Sequence, residues 1–157
     1  MKYNLLMIDK KLLDKIAPCG LSCEKCFAFI DSEIKKHSQA LRENLGNFEP
    51  YSCRFSELFN EPVFNLYPYF KTHLDYFADA QCGGCRKNTC KLFEGCHVRE
   101  CTKAKKVDFC FQCKEFPCNN TGFDDNMKQR WILINSTMKK MGVEAYYLQT
   151  KNESRYQ

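Results

Sequence analysis

Apolar residues at helical spacing mark both ends of the chain, and the middle has no regular pattern. Near the C-terminus, five apolar residues follow one another at intervals of four, three, four and three, which predicts one face of a helix. They are Met127, Trp131, Ile134, Met138 and Met141. Gly142 follows, where a glycine commonly ends a helix. A shorter helix is expected over residues 143–150, and the tail from residue 151 is expected to fray.

Helical patterns also run through the first 80 residues. Asp9 is expected to cap a short helix that Pro18 closes. A longer helix is predicted from Ser22 to Gly46, because apolar residues recur there every three or four positions. The aromatic-rich stretch 55–77 is expected to be helical too, with a break or kink at Pro68 and its rings in the core.

Residues 81–118 differ from both flanks, since they hold eight of the twelve cysteines and little periodicity. A segment this irregular needs cross-links to stay ordered. The pattern predicts a mainly α, single-domain protein of 157 residues. Its parts would be a helical body over residues 1–80, an irregular cysteine-rich metal-binding segment over 81–118, and C-terminal helices over 119–150.

The compartment decides between metal sites and disulfides. The first residues contain only four consecutive apolar side chains before charge resumes, whereas a signal peptide needs about 7–15. No run approaches the roughly 18 apolar residues of a membrane span, so no membrane association is predicted. A cytoplasmic location is therefore expected. Thiols stay reduced there, and clustered cysteines more often bind metal.

Three Cys-x-x-Cys pairs indicate where the metal would bind: Cys23/Cys26, Cys82/Cys85 and Cys110/Cys113. Such tight turns let two sulfurs reach one ion at about 2.3 Å, as in zinc knuckles. The second and third pairs need four further ligands to make two tetrahedral sites. Single cysteines in the same segment supply that number: Cys90, Cys96, Cys101 and Cys118. With both knuckles intact, these eight cysteines still divide into two tetrads in seven ways, and the spacing does not choose among them.

The N-terminal set, Cys19, Cys23 and Cys26, has the Cys-x3-Cys-x2-Cys spacing of radical S-adenosylmethionine enzymes. Those enzymes build a barrel from repeated strand–helix units, of which the pattern shows none. A third metal site fits better, with Cys53 or a later cysteine as its fourth ligand. Redox-inert zinc is favoured over an iron–sulfur cluster, because the later cysteines match ferredoxin spacing only loosely.

The formal charge of +5 suggests a nucleic-acid partner at first sight. Between Cys82 and Cys118, however, eight basic residues face four acidic ones, a local excess of four. A zinc ion held by four thiolates carries a net charge of −2, so two such sites would cancel that excess. The lysines are thus interpreted as counter-charges for anionic metal centres.

Four motifs in this order resemble the prokaryotic cysteine-rich family catalogued as domain of unknown function 3795. They are Ile16-Ala-Pro-Cys-Gly-Leu-Ser-Cys-Glu-Lys-Cys26, Cys82-Gly-Gly-Cys-Arg86, Cys96-His-Val-Arg-Glu-Cys101 and Val107-Asp-Phe-Cys-Phe-Gln-Cys-Lys-Glu-Phe-Pro-Cys118. The stretch from Met141 to Leu148 is similar to that family's closing helix motif. The resemblance implies zinc binding and no established activity. It maps the family's cysteines onto positions 19, 23, 26, 82, 85, 96, 101, 110, 113 and 118, with Cys90 less securely placed and Cys53 outside.

The leading functional hypothesis is a zinc-binding protein with two or three ions that acts as a binding or adaptor module. The sequence does not identify its partner, for which a protein is one candidate. Catalysis is not expected, because catalytic zinc needs an open position usually completed by histidine or carboxylate. Two alternatives stay open. One is an iron–sulfur enzyme or electron carrier. The other is nucleic-acid binding through Lys103, Lys105 and Lys106.

Overall fold

The protein is mainly helical in a computed structural model that describes residues 8–87, 92, 93 and 95–156. No β-strand forms among them, although an isolated antiparallel bridge joins Ile16 to Ser22. Seven α-helices are present in this part of the chain: α1 Lys10–Lys15, α2 Glu33–Leu45, α3 Glu49–Leu58, α4 Tyr67–Ala78, α5 Val98–Lys105, α6 Asp125–Met141 and α7 Val143–Thr150. Two 3-10 helices cover Pro62–Leu66 and Cys110–Gln112. The predicted mainly α class is confirmed.

The described residues form two compact units. The first joins the chain up to Lys25 to the chain from Cys82 onward, and the second spans Cys26–Gln81. The first unit contains α1, α5, α6, α7 and the cysteine-rich segment. The second contains α2, α3 and α4.

Helix α6 is the core element of the first unit. Its N-terminus is capped by Asp124, whose carboxylate accepts the Met127 N–H at 2.8 Å. Its C-terminus is the predicted Gly142, which adopts the positive φ of 91° and donates its N–H to Met138. The predicted apolar stripe is buried except for Met141, which is 38% exposed. Helix α7 follows directly, as predicted.

Gly20 brings the N-terminal cysteine loop against α6. Its φ is +92°, a conformation that favours glycine. A Cβ at this position would lie 2.8 Å from the Met138 methyl carbon and still closer to Ile134. The loop therefore packs its backbone directly on the helix, and no larger residue fits between them.

In the second unit, the N-terminal boundary of the long helix was predicted wrongly. Helix α2 begins at Glu33, where the Ser32 hydroxyl accepts the Lys35 N–H at 3.1 Å, and not at Ser22. Residues 26–32 form turns instead, including a bond from the Phe29 N–H to the Cys26 carbonyl. The predicted end at Gly46 is confirmed.

The aromatic stretch of the second unit is only partly a core. Tyr67 is buried and packs edge-on against Phe48 with ring centroids 5.0 Å apart. Phe59 and Tyr69, by contrast, are 58% and 71% exposed, so the expectation that these rings are interior holds for some of them only. Pro68 is the second residue of α4 and lies in its first turn, where a proline is tolerated.

None of the helices that the structure describes combines the length and apolarity needed to cross a bilayer.

Candidate metal centres

Four cysteines of the first unit line one small cavity of about 30 Å³. Cys101 projects from α5, Cys110 and Cys113 bound the second 3-10 helix, and Cys118 follows five residues later. Trp131 of α6 lines the same cavity. We call these four residues cluster 2. The structure thus brings the knuckle Cys110/Cys113 together with the single cysteines on either side of it.

Local hydrogen bonds shape the turn that carries the knuckle. The Gln112 side-chain oxygen accepts the N–H groups of Asp108 and Phe109 at 2.8 and 2.9 Å. The Cys113 N–H donates to the Cys110 carbonyl at 3.0 Å. Both sulfurs are therefore presented from a closed turn whose backbone groups are already satisfied.

Two thiols of cluster 2, those of Cys101 and Cys110, lose their protons less readily than an ordinary cysteine. Burial raises the pKa of Cys110 to about 11, with the neighbouring cysteines of the cluster adding to the rise. Burial also raises the pKa of Cys101, against the attraction of the Lys105 ammonium. A metal ion binding here would have to displace these protons.

The Trp131 indole N–H supports Cys110. Its Nε1 atom is buried and makes no hydrogen bond of ordinary geometry. It nevertheless lies against the Cys110 sulfur closely enough to lower the pKa of that thiol in part. A thiol is a weak acceptor, whereas a thiolate accepts a charge-assisted bond. The indole N–H would therefore be a suitable donor to the Cys110 sulfur if a metal ion ionised it.

A second group of cysteines, cluster 1, lies in the same unit and consists of Cys19, Cys23, Cys85 and Cys96. Three of its members, Cys19, Cys85 and Cys96, line a cavity of about 110 Å³. The Cys85 thiol lies within hydrogen-bond distance of the Cys23 sulfur. The sulfurs of one tetrahedral zinc ion are about 3.8 Å apart, as the 2.3 Å bond length requires, so this pair suits a single ion.

The N-terminal members of cluster 1 are held by a tight loop. Ala17 donates its N–H to the Leu21 carbonyl at 2.8 Å, and Cys23 donates to Lys15 at 2.7 Å. These bonds fold the sequence Cys-Gly-Leu-Ser-Cys back on itself, so that both its cysteines are buried.

Two thiols of cluster 1 have pKa values shifted in opposite directions. The hydrogen bond from the Cys85 side chain lowers the pKa of Cys23 to about 7, and the guanidinium groups of Arg155 and Arg86 act in the same direction. Burial raises the pKa of Cys19 to about 12. One thiol of the group is therefore partly ionised near neutral pH, while another stays protonated.

Three buried side-chain donors near the clusters make no hydrogen bond among the described residues: Arg86 Nη2, Arg99 Nε and Trp131 Nε1. Arg99 Nε has only a longer ion-pair contact, 3.6 Å from the Glu100 carboxylate. Arg99 lines the cavity of cluster 1, and Arg86 interacts electrostatically with Cys19 and Cys23. Unsatisfied buried donors are costly, and thiolates would satisfy them. This donor set fits anionic, metal-bound sulfur.

Sequence reasoning missed these supporting residues. The helical period explains Trp131 as an apolar position, and Arg86 and Arg99 are two of the eight basic residues between Cys82 and Cys118. Asn135 belongs to none of the sequence motifs. It is fully buried, its amide donates to the Cys19 carbonyl at 2.8 Å, and its side-chain oxygen accepts the Phe111 N–H at 3.1 Å. A polar residue on a buried helical face was the one signal that could have revealed it.

The remaining predicted ligands lie outside the two clusters. Cys82 is buried in the first unit but lines neither cavity, and Cys26 is buried in the second unit. Cys53 is exposed on α3, and Cys90 lies outside the described residues. The eleven cysteines that the structure describes form no disulfide. Within the described ranges, no three Cys, His, Asp or Glu side chains converge as a ready-made metal site.

The model of one protein family, described as "Protein of unknown function (DUF3795)", matches residues 15–123. The chain belongs to the DUF3795 family. The match spans every cysteine of both clusters but ends before α6, so the resemblance of residues 141–148 to the DUF3795 closing motif stays a prediction. No curated protein and no solved structure matches the chain.

Proposed function

We propose that this DUF3795 protein is a zinc-binding module in which two zinc ions stabilise the first unit and which acts by binding a partner rather than by catalysis. The observation that carries the proposal is cluster 2, where four thiols line one small cavity beside a buried, unsatisfied indole donor. Four thiolates close the coordination sphere of zinc, which is typical of structural sites.

The charges around cluster 2 support zinc over a nucleic-acid function. Lys105 forms an ion pair with Glu115, and Lys103 lies 3.7 Å from Glu100. A basic face for nucleic acid needs uncompensated cations. Two of the three lysines in the candidate nucleic-acid patch already have acidic partners, so little uncompensated charge remains there for a phosphate backbone.

The contribution of zinc to the stability of the first unit depends on how much other structure holds the cysteine-rich segment. The described residues of this segment contain one eight-residue α-helix and one 3-10 turn, so little regular structure supports them. Structural zinc contributes about 10–16 kcal/mol to the folding of small zinc modules, comparable with the whole stability of a typical domain of about 5–15 kcal/mol. Removal of zinc is therefore expected to unfold the first unit.

Metal analysis tests the proposal. Protein purified without added metal should carry about two zinc ions per chain, measured by mass spectrometry and elemental analysis. Cys113→Ser should lose about one ion, whereas Cys53→Ser, which changes an exposed thiol of α3, should lose none. Fewer than one zinc per chain with the fold intact would refute a structural role for zinc. A brown protein with bound iron would favour the iron–sulfur alternative instead.

A further inference from the structure

A groove in the first unit lies between the N-terminal cysteine loop and the two C-terminal helices. Its volume is about 320 Å³, at the lower end of the range of pockets that take small organic ligands. Leu133 of α6 and Tyr146 of α7 line it from the helices, and Ser22 lines it from the loop. The residues after α7 form its remaining wall.

The tail is fixed to this groove, contrary to the expectation that it frays. The Lys25 ammonium donates to the carbonyls of Thr150 and Glu153. Arg130 donates to the Arg155 carbonyl, and the Arg155 guanidinium donates to the Ser22 carbonyl. The wall is therefore held by several hydrogen bonds from basic side chains to main-chain oxygens.

These bonds leave the groove positively charged. Four cations line it, and two carboxylates, Glu24 and Glu153, oppose them. Glu24 is already engaged by Lys15 at 3.2 Å. A carbonyl oxygen accepts a hydrogen bond without neutralising the charge of the donor. The four cations are Lys25, Arg130, Lys151 and Arg155.

Donor capacity also remains in the groove. An ammonium has three N–H donors and a guanidinium has five, and the bonds described use only part of them. The Ser22 hydroxyl is buried without a hydrogen-bond partner in the described structure. Guanidinium groups with free N–H pairs bind carboxylate or phosphate groups well.

The groove has an apolar side as well. Leu133 is 68% exposed, whereas Trp131, Ile134 and Met138 of the same helix are buried. Ile134 and Tyr146 line the groove beside it. A ligand that matches both sides must carry a negative group and an apolar body.

We propose that this groove binds a small organic anion whose carboxylate or phosphate group contacts Arg130 and Lys25 and whose apolar body covers Leu133 and Tyr146. The inference rests on the proposed binding function, for which it names the ligand class. It is independent of zinc except that the cysteine loop must be folded to present Ser22.

The test uses the full-length, zinc-loaded protein and isothermal titration calorimetry. Octanoate and phenyl phosphate probe the two anionic groups, inorganic phosphate probes charge alone, and octanol probes apolar contact alone. Octanoate or phenyl phosphate, or both, should bind saturably with one molecule per chain. Inorganic phosphate and octanol should bind at least about tenfold more weakly. Whichever of octanoate and phenyl phosphate binds identifies the anionic group.

Variants locate the binding site. Arg130→Gln should weaken binding at least about threefold, and Leu133→Asn, which changes an exposed side chain, should do the same. Lys139→Gln is the matched control, since it removes an exposed cation of the same helix outside the groove. The inference is overturned if neither anion binds saturably, if inorganic phosphate binds as tightly, or if the two groove variants behave like the control.

Zinc content measured on the same samples separates the two proposals. Full zinc content without anion binding would overturn only the groove. Anion binding by folded protein that carries no zinc would overturn only the metal proposal.

Discussion

Asn135 offers the sharpest test of how the two clusters are held together. Its amide joins the loop of cluster 1 to the 3-10 turn of cluster 2, through the Cys19 carbonyl and the Phe111 N–H. The Cys110 N–H makes the only other bond described between these segments, to the Pro18 carbonyl at 3.2 Å. Replacing Asn135 by alanine therefore removes most of the polar connection.

The expected loss of stability follows from the two backbone groups that lose their hydrogen-bond partner. In Asn135→Ala, the buried Cys19 carbonyl and the part-buried Phe111 N–H both lose their partner. Each orphaned group costs about 1–3 kcal/mol, so the free energy of unfolding should fall by about 2–6 kcal/mol. That is a large fraction of the stability of a typical domain. Asn135→Asp should cost at least as much, because it also buries a carboxylate near the thiolates.

Urea denaturation at fixed zinc concentration measures this effect, with the release of zinc to a chelator as a second readout. Ser136→Ala is the matched control, because Ser136 is exposed on the same helix. The variant should also release zinc from both clusters faster. If Asn135→Ala costs less than about 1 kcal/mol and leaves zinc release unchanged, the connection assigned to this residue is wrong.

Three further predictions concern the loop, the indole and the thiols. Gly20→Ala should destabilise the zinc-loaded protein by about 1–3 kcal/mol in urea denaturation, because its Cβ would overlap Ile134 and Met138; an unchanged midpoint would contradict the close packing. Trp131→Phe should keep the packing but speed zinc loss from cluster 2 several-fold in a chelator assay. Equal rates of zinc loss in the variant and the unchanged protein would show that the indole N–H does not support Cys110. Folded, zinc-free protein should lose stability as the pH rises from about 9 towards 11. The reason is that the Cys110 thiol ionises at a lower pH in the unfolded chain than in the folded one. A free energy of unfolding that rises over this pH range would contradict the raised pKa.

Helix α6 shows what the sequence can predict. Its apolar residues recur with helical period over 15 positions, Asp124 can cap it, and Gly142 ends it, so local signals and burial agree. The start of α2 shows the opposite case. Residues Cys26, Phe27 and Ile30 continue the helical period, yet the chain there forms turns and the capping serine is Ser32.

The cysteine grouping could not be derived from spacing because it depends on tertiary contacts. Cys96 precedes α5 by two residues and Cys101 lies within that helix, yet the two line different cavities. The fold of the chain around α5 decides this, and spacing alone carries no such information. The supporting donors were hidden for the same reason, since Arg86 and Trp131 are distant in sequence from most of the cysteines they face.

Trp131 is the sole tryptophan of the chain and is 1% exposed. Its indole ring lines the cavity of cluster 2 and is not among the residues that line the cavity of cluster 1. Because ionised sulfur and a bound metal both change the emission of a neighbouring indole, the intrinsic fluorescence of the protein should report on cluster 2. The loading of one cluster can then be followed optically, without a label, while total metal analysis counts both.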